Sequence, residues 1–600
     1  MMKNKSIGII TKVFFNKIVV EAPSPSDIQH NYKGDLYTLE GLNDYITIYK
    51  DQKNKYIYQI TGLYEQEKPM LSVEESKFER NAYFEAIPVG EIYHDQFEYG
   101  LSIFPIIGED VYLTTRDDIQ KILTSKNNTL PISFGKLTTH EYIPEFPVDS
   151  LFTNHFAILG NTGSGKSTTV RKILNELLNL KDRNIDPNEM NFVIFDVHNE
   201  YTVFNEQYLT KVDLNEISIP LNTLKLEDWI NLVQPATRVQ LPILMNGLKM
   251  ASILESDNES SKWLKAYCAL ELYNNQQTDA VAKRTKIISL VSGISDEEVQ
   301  SSVEEYDSRF GNFTQQNETR FRQAIKSYIK RAHGLDYHEC EGKVQETLET
   351  ANQGFKKLEK LKDGINMVIL LEEAKGNTQV KANCETLMTR IDSIILNYSS
   401  NLLDNNENKI SKFNKIIEYK KALTVFDCSS LESTDLLFFS GYLSRDILES
   451  QKSIRKERNL NKMFNIILDE AHQYIKEGND DAKSNSTIIF NNIAKEGRKF
   501  GVFIAVASQR PSELSKTVLS QCNNFILHRI RNNLDLDQLR KSIPYISDSQ
   551  VFRLSFLKTG VALLVGDSFT VPMEMHIDEE DLGEISETVT PSVLWSYPKN

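Results

Sequence analysis

Residues 160–167 read Gly-Asn-Thr-Gly-Ser-Gly-Lys-Ser, a full G-x-x-x-x-G-K-[ST] octad. Average residue usage gives about 0.02 such matches in a random chain of this length, so chance is a poor explanation. These residue types suit a triphosphate such as ATP. Gly163 and Gly165 allow tight curvature, and successive backbone N–H groups along Gly160, Thr162, Gly163, Ser164, Gly165 and Thr168 can surround phosphate oxygens at a helix N-terminus. Lys166 reaches the β- and γ-phosphates, and Ser167 offers a hydroxyl to Mg²⁺. Hydrolysis needs a metal-holding carboxylate and a group that orients water, and both stand in NIILDEAHQY. Asp469 ends a buried strand and is expected to hold Mg²⁺ or its water shell. Glu470, one residue on, is placed to polarise the attacking water. Gln509 lies at the tip of VFIAVAS, where a polar residue contacts the γ-phosphate or the water; the alternative is a Gln that only caps the strand. Asp196 in FDVHNEY is a second carboxylate near the metal or water if strands 156–159 and 192–196 are neighbours. His198 reads as a hydrogen-bonded orienting residue, since no second His stands at ligand spacing.

These side chains require a sheet that brings strand tips together. HFAILG is a short buried run, and after the octad Val170, Ile173, Leu174, Leu177 and Leu178 recur with the stripe of an amphipathic helix. NFVIFD, ALTVFD, MFNIILD, VFIAVAS, NFILHRI and GVALLVG are further apolar runs, and such runs alternating with helices predict an α/β domain with a mainly parallel sheet. Between about 252 and 415 the chain reads as helical, so a helical insertion splits the α/β domain. From 6 to about 136, period-two runs such as IGIITKVFFNKIVV and KYIYQITGLY predict a small all-β unit of barrel type. The expected organisation is therefore a β-barrel at 1–140, α/β domain at 141–251 and 416–575, helical insertion at 252–415, and a tail at 576–600.

Six hundred residues exceed what one hydrophobic core holds. The net charge of −15 argues against a protein that coats polyanions over its whole surface, and leaves room for nucleic acid in a locally basic channel. The basic stretch QKSIRKERNLNK at 451–462 precedes the Asp469 strand. It is expected at the end opposite that strand's tip, as a solvated connector more than a channel lining. Five cysteines at irregular spacings fit a reducing compartment rather than a disulfide framework. Lys12 and Lys17 interrupt the first apolar stretch, and no run approaches a membrane span, so a cytoplasmic protein is expected.

FGKL at 134–137, HFAILGNTGSGKS, FDVHNEY, NIILDEAH, IAKEGRKFGVFIAVASQRPSEL and TGVALLVGD together resemble the HerA-type ATPases of the HerA/FtsK group. The resemblance spans roughly half the chain in the family's motif order and leaves 252–415 without a recognised motif. It implies a RecA-like P-loop NTPase domain, a hexameric ring with ATP sites between subunits, double-stranded DNA in the central pore, and an N-terminal barrel that docks a partner. It further implies that Arg498 in IAKEGRKFG contacts the nucleotide of the adjacent subunit; the alternative is a surface Arg in a basic helix end. One departure stands out: Thr153-Asn154-His155 lacks the basic residue such proteins often carry before the His. FtsK-like membrane motors and ABC-type ATPases are disfavoured, the first for want of a membrane segment and the second for want of an LSGGQ-like signature. By resemblance the partner is a NurA-type nuclease, as in end resection, or an effector such as a sirtuin-like NADase or another nuclease, as in the bacterial antiphage systems whose style this chain resembles more. Two readings stay open: a motor on duplex DNA, and an assembly ATPase that scaffolds and regulates an effector.

Overall fold

The computed structural model describes residues 6–578 except 23–29, 33–34, 38–40, 52–53, 70–77, 125–129, 140–141, 181–184, 257–258, 276–279, 305, 307–312, 352–353, 400, 457–461, 476–487 and 545. The middle of the basic stretch 451–462 and most of the 576–600 tail thus lie outside the described residues. Among those described, no helix is long and apolar enough to cross a membrane.

Alternation builds the N-terminal domain. Ser6–Val13 pairs with Ile18–Ala22 and Asp110–Leu113, Asp110–Leu113 with Tyr45–Tyr49, Tyr45–Tyr49 with Lys55–Pro69, and Lys55–Pro69 with Phe78–Tyr93. Phe78–Tyr93 returns to Ile18–Ala22, so six antiparallel strands close a barrel without free edges. Ile7, Ile10, Ile18, Val20, Ile46, Ile48, Tyr58, Ile60 and Phe84 fill it. Each such side chain withdrawn from water contributes about 1.5–3 kcal/mol. Tyr45, Ile57, Val89 and Ile92 instead join the core that runs under the main sheet, and Asn43 Nδ2 donates to Glu574 Oε1 at 3.0 Å. The barrel is therefore seated on the second domain.

The main sheet has ten strands: β1 (Gly135–Leu137), β2 (His155–Leu159), β3 (Asn191–Asp196), β4 (Leu209–Asp213), β5 (Leu423–Asp427), β6 (Phe464–Leu468), β7 (Val502–Ser508), β8 (Cys522–Leu527), β9 (Val561–Gly566) and β10 (Met573–Ile577). Their order is β1-β10-β9-β8-β2-β7-β6-β3-β5-β4, parallel from β8 to β4 and antiparallel at β9, β10 and β1. Both faces are covered, which is why the central strands read as unbroken apolar runs. On one face the helix Lys166–Leu178 buries Val170, Ile173, Leu174, Leu177 and Leu178 against Phe156, Ile158 and Ile194, as its stripe predicts. On the other, Leu436, Phe438, Phe439 and Leu443 of helix Ser433–Lys456 meet Phe195 and Phe426.

Three expectations are corrected. The strands 156–159 and 192–196 are not neighbours, because β7 and β6 lie between them. Gly135–Leu137 leaves the barrel and pairs antiparallel with β10, where its backbone groups find their partners. The helical insertion begins at Leu226 rather than 252. Pro242 falls in the first turn of helix Gln240–Glu255, where no intrahelical N–H is required. Gly247 and Gly364 let helices Gln240–Glu255 and Glu359–Ala374 approach: a Cβ on Gly247 would stand 2.3 Å from Ile365 Cγ1, and one on Gly364 2.4 Å from the Gly247 carbonyl oxygen. The insertion leaves after β4 and returns at β5, two directly paired strands, so it hangs from the sheet edge. A buried ion pair, Arg445 to Asp228 at 2.8 Å, ties its first helix to Ser433–Lys456.

Candidate active site

The P-loop joins β2 to helix Lys166–Leu178. Gly163 and Gly165 have φ of +69° and +114°, values that L side chains rarely adopt, so the curvature depends on glycine at both places. Neighbouring strands hold the loop: Gly160 N donates to the Ser508 carbonyl at 3.2 Å, Asn161 N to the Arg529 carbonyl at 2.9 Å, and Gly560 N to the Ser164 carbonyl at 3.2 Å. Lys166 is buried, with Nζ 3.4 Å from the Asn161 carbonyl oxygen. Burial lowers its pKa from the ordinary lysine value, and the negative charge of Glu470, Asp469 and Glu200 pulls the other way. A γ-phosphate brought to this ammonium would be met by a cation with few competing partners.

Asp469 follows β6 directly, one strand beyond β7. Burial first, then Glu470, Asp196 and Glu200, raise its pKa well above the ordinary carboxyl range. Its Oδ2 is buried with no hydrogen-bond partner, while Oδ1 accepts from the Tyr201 phenol at 3.4 Å. The Ser167 hydroxyl acts on the same phenol, lowering its pKa against the rise that burial imposes, so Tyr201 stands between the two residues expected at a metal. An orphaned carboxylate oxygen beside a P-loop hydroxyl fits a hard divalent cation.

Glu470 sits in the left-handed region, φ +44° and ψ +47°, which turns its side chain off the strand direction. Burial works to raise its pKa, but the His472 contact and Lys166, with the Gln509 backbone N–H, outweigh it and hold the carboxyl below its ordinary value. His472 Nδ1 lies 3.1 Å from Glu470 Oε2 and 3.2 Å from Ser508 Oγ. Gln509 Oε1 accepts from the Thr162 hydroxyl, which binds the tip of β7 to the P-loop. Lys166, Asp469, Glu470 and Gln509 therefore converge, as the strand tips suggest.

Asp196 is fully buried and its oxygens are already used. It accepts the backbone N–H groups of His198, Glu200 and Tyr201 at 3.3, 3.0 and 2.9 Å, and so shapes the loop that delivers Tyr201 to Asp469. It acts on the site through that loop, and His198 is exposed outside it. Arg498 is exposed in the turn Gly497–Phe500 ahead of β7, near His155 at the start of β2. That is the amino end of the strands, the opposite edge from the P-loop.

Three supporting residues escape sequence reasoning. His528, at the end of β8, is fully buried beneath the P-loop: a Cβ on Gly160 would stand 2.5 Å from its Cβ. Its Nδ1 faces the Val561 carbonyl at 3.2 Å and so carries the hydrogen, leaving Nε2 to accept from the Thr169 hydroxyl at 2.8 Å. Burial drives its pKa down to about 4. Arg171, buried on the P-loop helix, donates to the Glu200 carbonyl at 3.3 Å. Tyr201 is the third. Only FDVHNEY flagged the vicinity of one of them; the others carry no spacing signal.

Residues 132–296 match the family model described as the central domain of helicase HerA. The chain is 26% identical over 500 residues to "Probable helicase MJECL08" of Methanocaldococcus jannaschii, covering 82% of this chain and 78% of that protein. It is 23% identical over 480 residues to the DNA double-strand break repair helicase HerA of Sulfurisphaera tokodaii, covering 79% and 74%. Among solved structures, VirB4 of Thermoanaerobacter pseudethanolicus aligns with a TM-score of 0.41 at 14% identity over 75% of this chain and 97% of that one. With the P-loop, the Asp-Glu strand tip and the barrel in the order described, the chain is similar to HerA-type P-loop ATPases over most of its length.

Proposed function

We propose that this chain is an ATP-driven motor that moves along double-stranded DNA. The observation that carries the reading is the convergence of Lys166, Asp469, Glu470 and Gln509 on one P-loop within a HerA-type chain. Backbone N–H groups of the loop and Lys166 bind the phosphates, and Glu470, kept ionised, accepts a proton from the water that attacks the γ-phosphorus. Gln509 orients that water and reports the γ-phosphate to β7. Ser167 and Asp469 would hold Mg²⁺, which when bound neutralises phosphate charge. Arg498, on the far edge from its own P-loop, suits a neighbouring copy's nucleotide in a ring, where a guanidinium stabilises charge on the transferred phosphoryl group. Relatives named as DNA double-strand break repair helicases support duplex DNA as the track.

The barrel carries an apolar patch that supports its reading as a docking platform for an effector enzyme. Phe14, Phe15, Ile103, Ile106 and Ile107 are 48, 86, 53, 67 and 66% exposed, and Phe15 packs on Phe104 at 5.4 Å. This favours a motor that works with a partner, such as a nuclease, and keeps a scaffold role within reach of the same ring. The test is ATP turnover with and without duplex DNA over a range of salt. Stimulation that fades as salt rises supports the motor; turnover indifferent to DNA, with an effector activated on mixing, supports the scaffold.

A further inference from the structure

The hydrolytic side chains dictate which way a nucleotide lies. Asp469, Glu470 and Gln509 belong to β6 and β7, on one flank of the P-loop strand, so the terminal phosphate faces that flank. The nucleoside must leave over the other flank, where β8 and β9 lie. There the turn Lys558–Gly560 touches the P-loop through the Gly560–Ser164 hydrogen bond, and a Cβ on Gly165 would stand 3.5 Å from Gly560 Cα. Beyond that turn opens a cavity of about 780 Å³ between the main domain and the barrel. Its lining includes Phe552, Phe556, Lys558, Lys136 and His576, with Leu42 and Gln59 from the barrel. The two phenylalanines are 68 and 62% exposed, with ring centroids 5.2 Å apart. Neither Lys136 nor Lys558 has a carboxylate partner among the described residues.

We propose that this cavity is the nucleoside subsite: the base of ATP stacks on the Phe552 and Phe556 pair, with Lys558 beside the ribose and α-phosphate. A volume of this size holds a nucleoside with room for water, and an aromatic pair flanked by ammonium groups fits a planar base attached to an anionic chain. Because Leu42 and Gln59 of the barrel line the same cavity as Phe552 and Lys558, a nucleoside bound there would touch both domains. The assignment rests on the P-loop binding ATP, and the experiment separates the two.

Calorimetry on the full chain compares ATP with inorganic tripolyphosphate, which has no nucleoside. The Phe552→Ala/Phe556→Ala double variant is expected to weaken ATP about tenfold or more while leaving tripolyphosphate within about twofold. Lys166→Ala is expected to weaken both. Unchanged ATP affinity in the double variant, or equal weakening of both ligands, overturns the subsite. A change in oligomeric state with ATP affinity unchanged also overturns it and makes the aromatic pair a subunit contact. If the unaltered chain binds neither ligand, the P-loop reading falls and takes the subsite with it. As a second measurement independent of mutation, 8-azido-ATP should photolabel residues 548–560, and labelling confined elsewhere counts against the proposal.

Discussion

His472 Nδ1 lies 3.1 Å from Glu470 Oε2 and 3.2 Å from Ser508 Oγ, so one imidazole links the carboxylate proposed to activate water to the strand beside the P-loop strand. Ser508 in turn accepts the Gly160 N–H through its carbonyl, which brings the link to the first residue of the phosphate loop. The left-handed backbone at Glu470 leaves its side chain dependent on such contacts for direction.

Replacing Glu470 by Gln should leave ATP affinity near its original value and lower turnover by a factor of about 10²–10⁴, the usual share of a positioned general base. Rapid-quench turnover beside equilibrium ATP binding checks this. Full turnover in Glu470→Gln would remove Glu470 from the chemistry.

His472→Ala should lower kcat by about tenfold with little change in KM, because it acts through Glu470 rather than on the nucleotide. The pH profile gives a sharper readout. Burial pushes Glu470 up and the His472 contact is the largest opposing effect, so without it the carboxylate protonates at higher pH. The acid limb of the rate profile should therefore move upward in pH, while a merely structural loss would lower the whole profile without moving it.

His528 makes stability pH-dependent. Its pKa is about 4 folded against the ordinary histidine value of 6.5, so both states are neutral at pH 7 and it contributes little to the slope there. As pH falls below 6.5 the unfolded chain takes up the proton first, and about 3 kcal/mol is lost progressively down to pH 4. His155, also lowered to about 4 by burial, acts in the same direction. Urea denaturation between pH 7 and 5 should show the fall, and His528→Gln should flatten part of it. An unaltered slope would mean that His528 is not held neutral under the loop.

Gly364→Val should loosen the helical insertion, since its Cβ would stand 2.4 Å from the Gly247 carbonyl oxygen. A cost of about 1–3 kcal/mol is expected for such overpacking. Hydrogen exchange should quicken at 240–255 and 359–374 and stay unchanged in the P-loop helix, because the insertion hangs from the sheet edge at β4 and β5.

Mixing subunits tests Arg498 in trans. Lys166→Ala and Arg498→Ala chains should each be inactive alone, and co-assembled rings should regain some hydrolysis at interfaces that pair an intact P-loop with an intact Arg498. No recovery despite demonstrated co-assembly would return Arg498 to a surface role.

Much of the α/β domain is legible in the sequence because a strand buried on both faces leaves a short unbroken apolar run, as in NFVIFD and VFIAVAS. The octad and Asp469–Glu470 are legible because phosphate and water chemistry fixes residue types at tight spacing. β4, Leu209–Asp213, is missed because an edge strand with one neighbour carries Thr210 and Lys211 among its five residues and breaks no polar rule. His528 is missed for a different reason: it meets Thr169 and Gly160 only through the adjacency of β8 and β2, and nothing in NFILHRI marks its histidine as the floor of a loop far away in sequence. His472 stood in the quoted DEAHQY run, yet its partner Ser508 belongs to another strand. The strand order itself, with β7 between the P-loop strand and the Asp469 strand, follows from pairing that no local pattern encodes.

In the proposed motor, ATP hydrolysis at the Lys166 and Glu470 site drives movement along duplex DNA. Displacement of a triplex-forming strand from duplex DNA measures this directly. Displacement should depend on ATP, be lost in Glu470→Gln and weaken as salt rises. Robust ATP turnover without displacement, whatever the duplex length and salt, would contradict the motor.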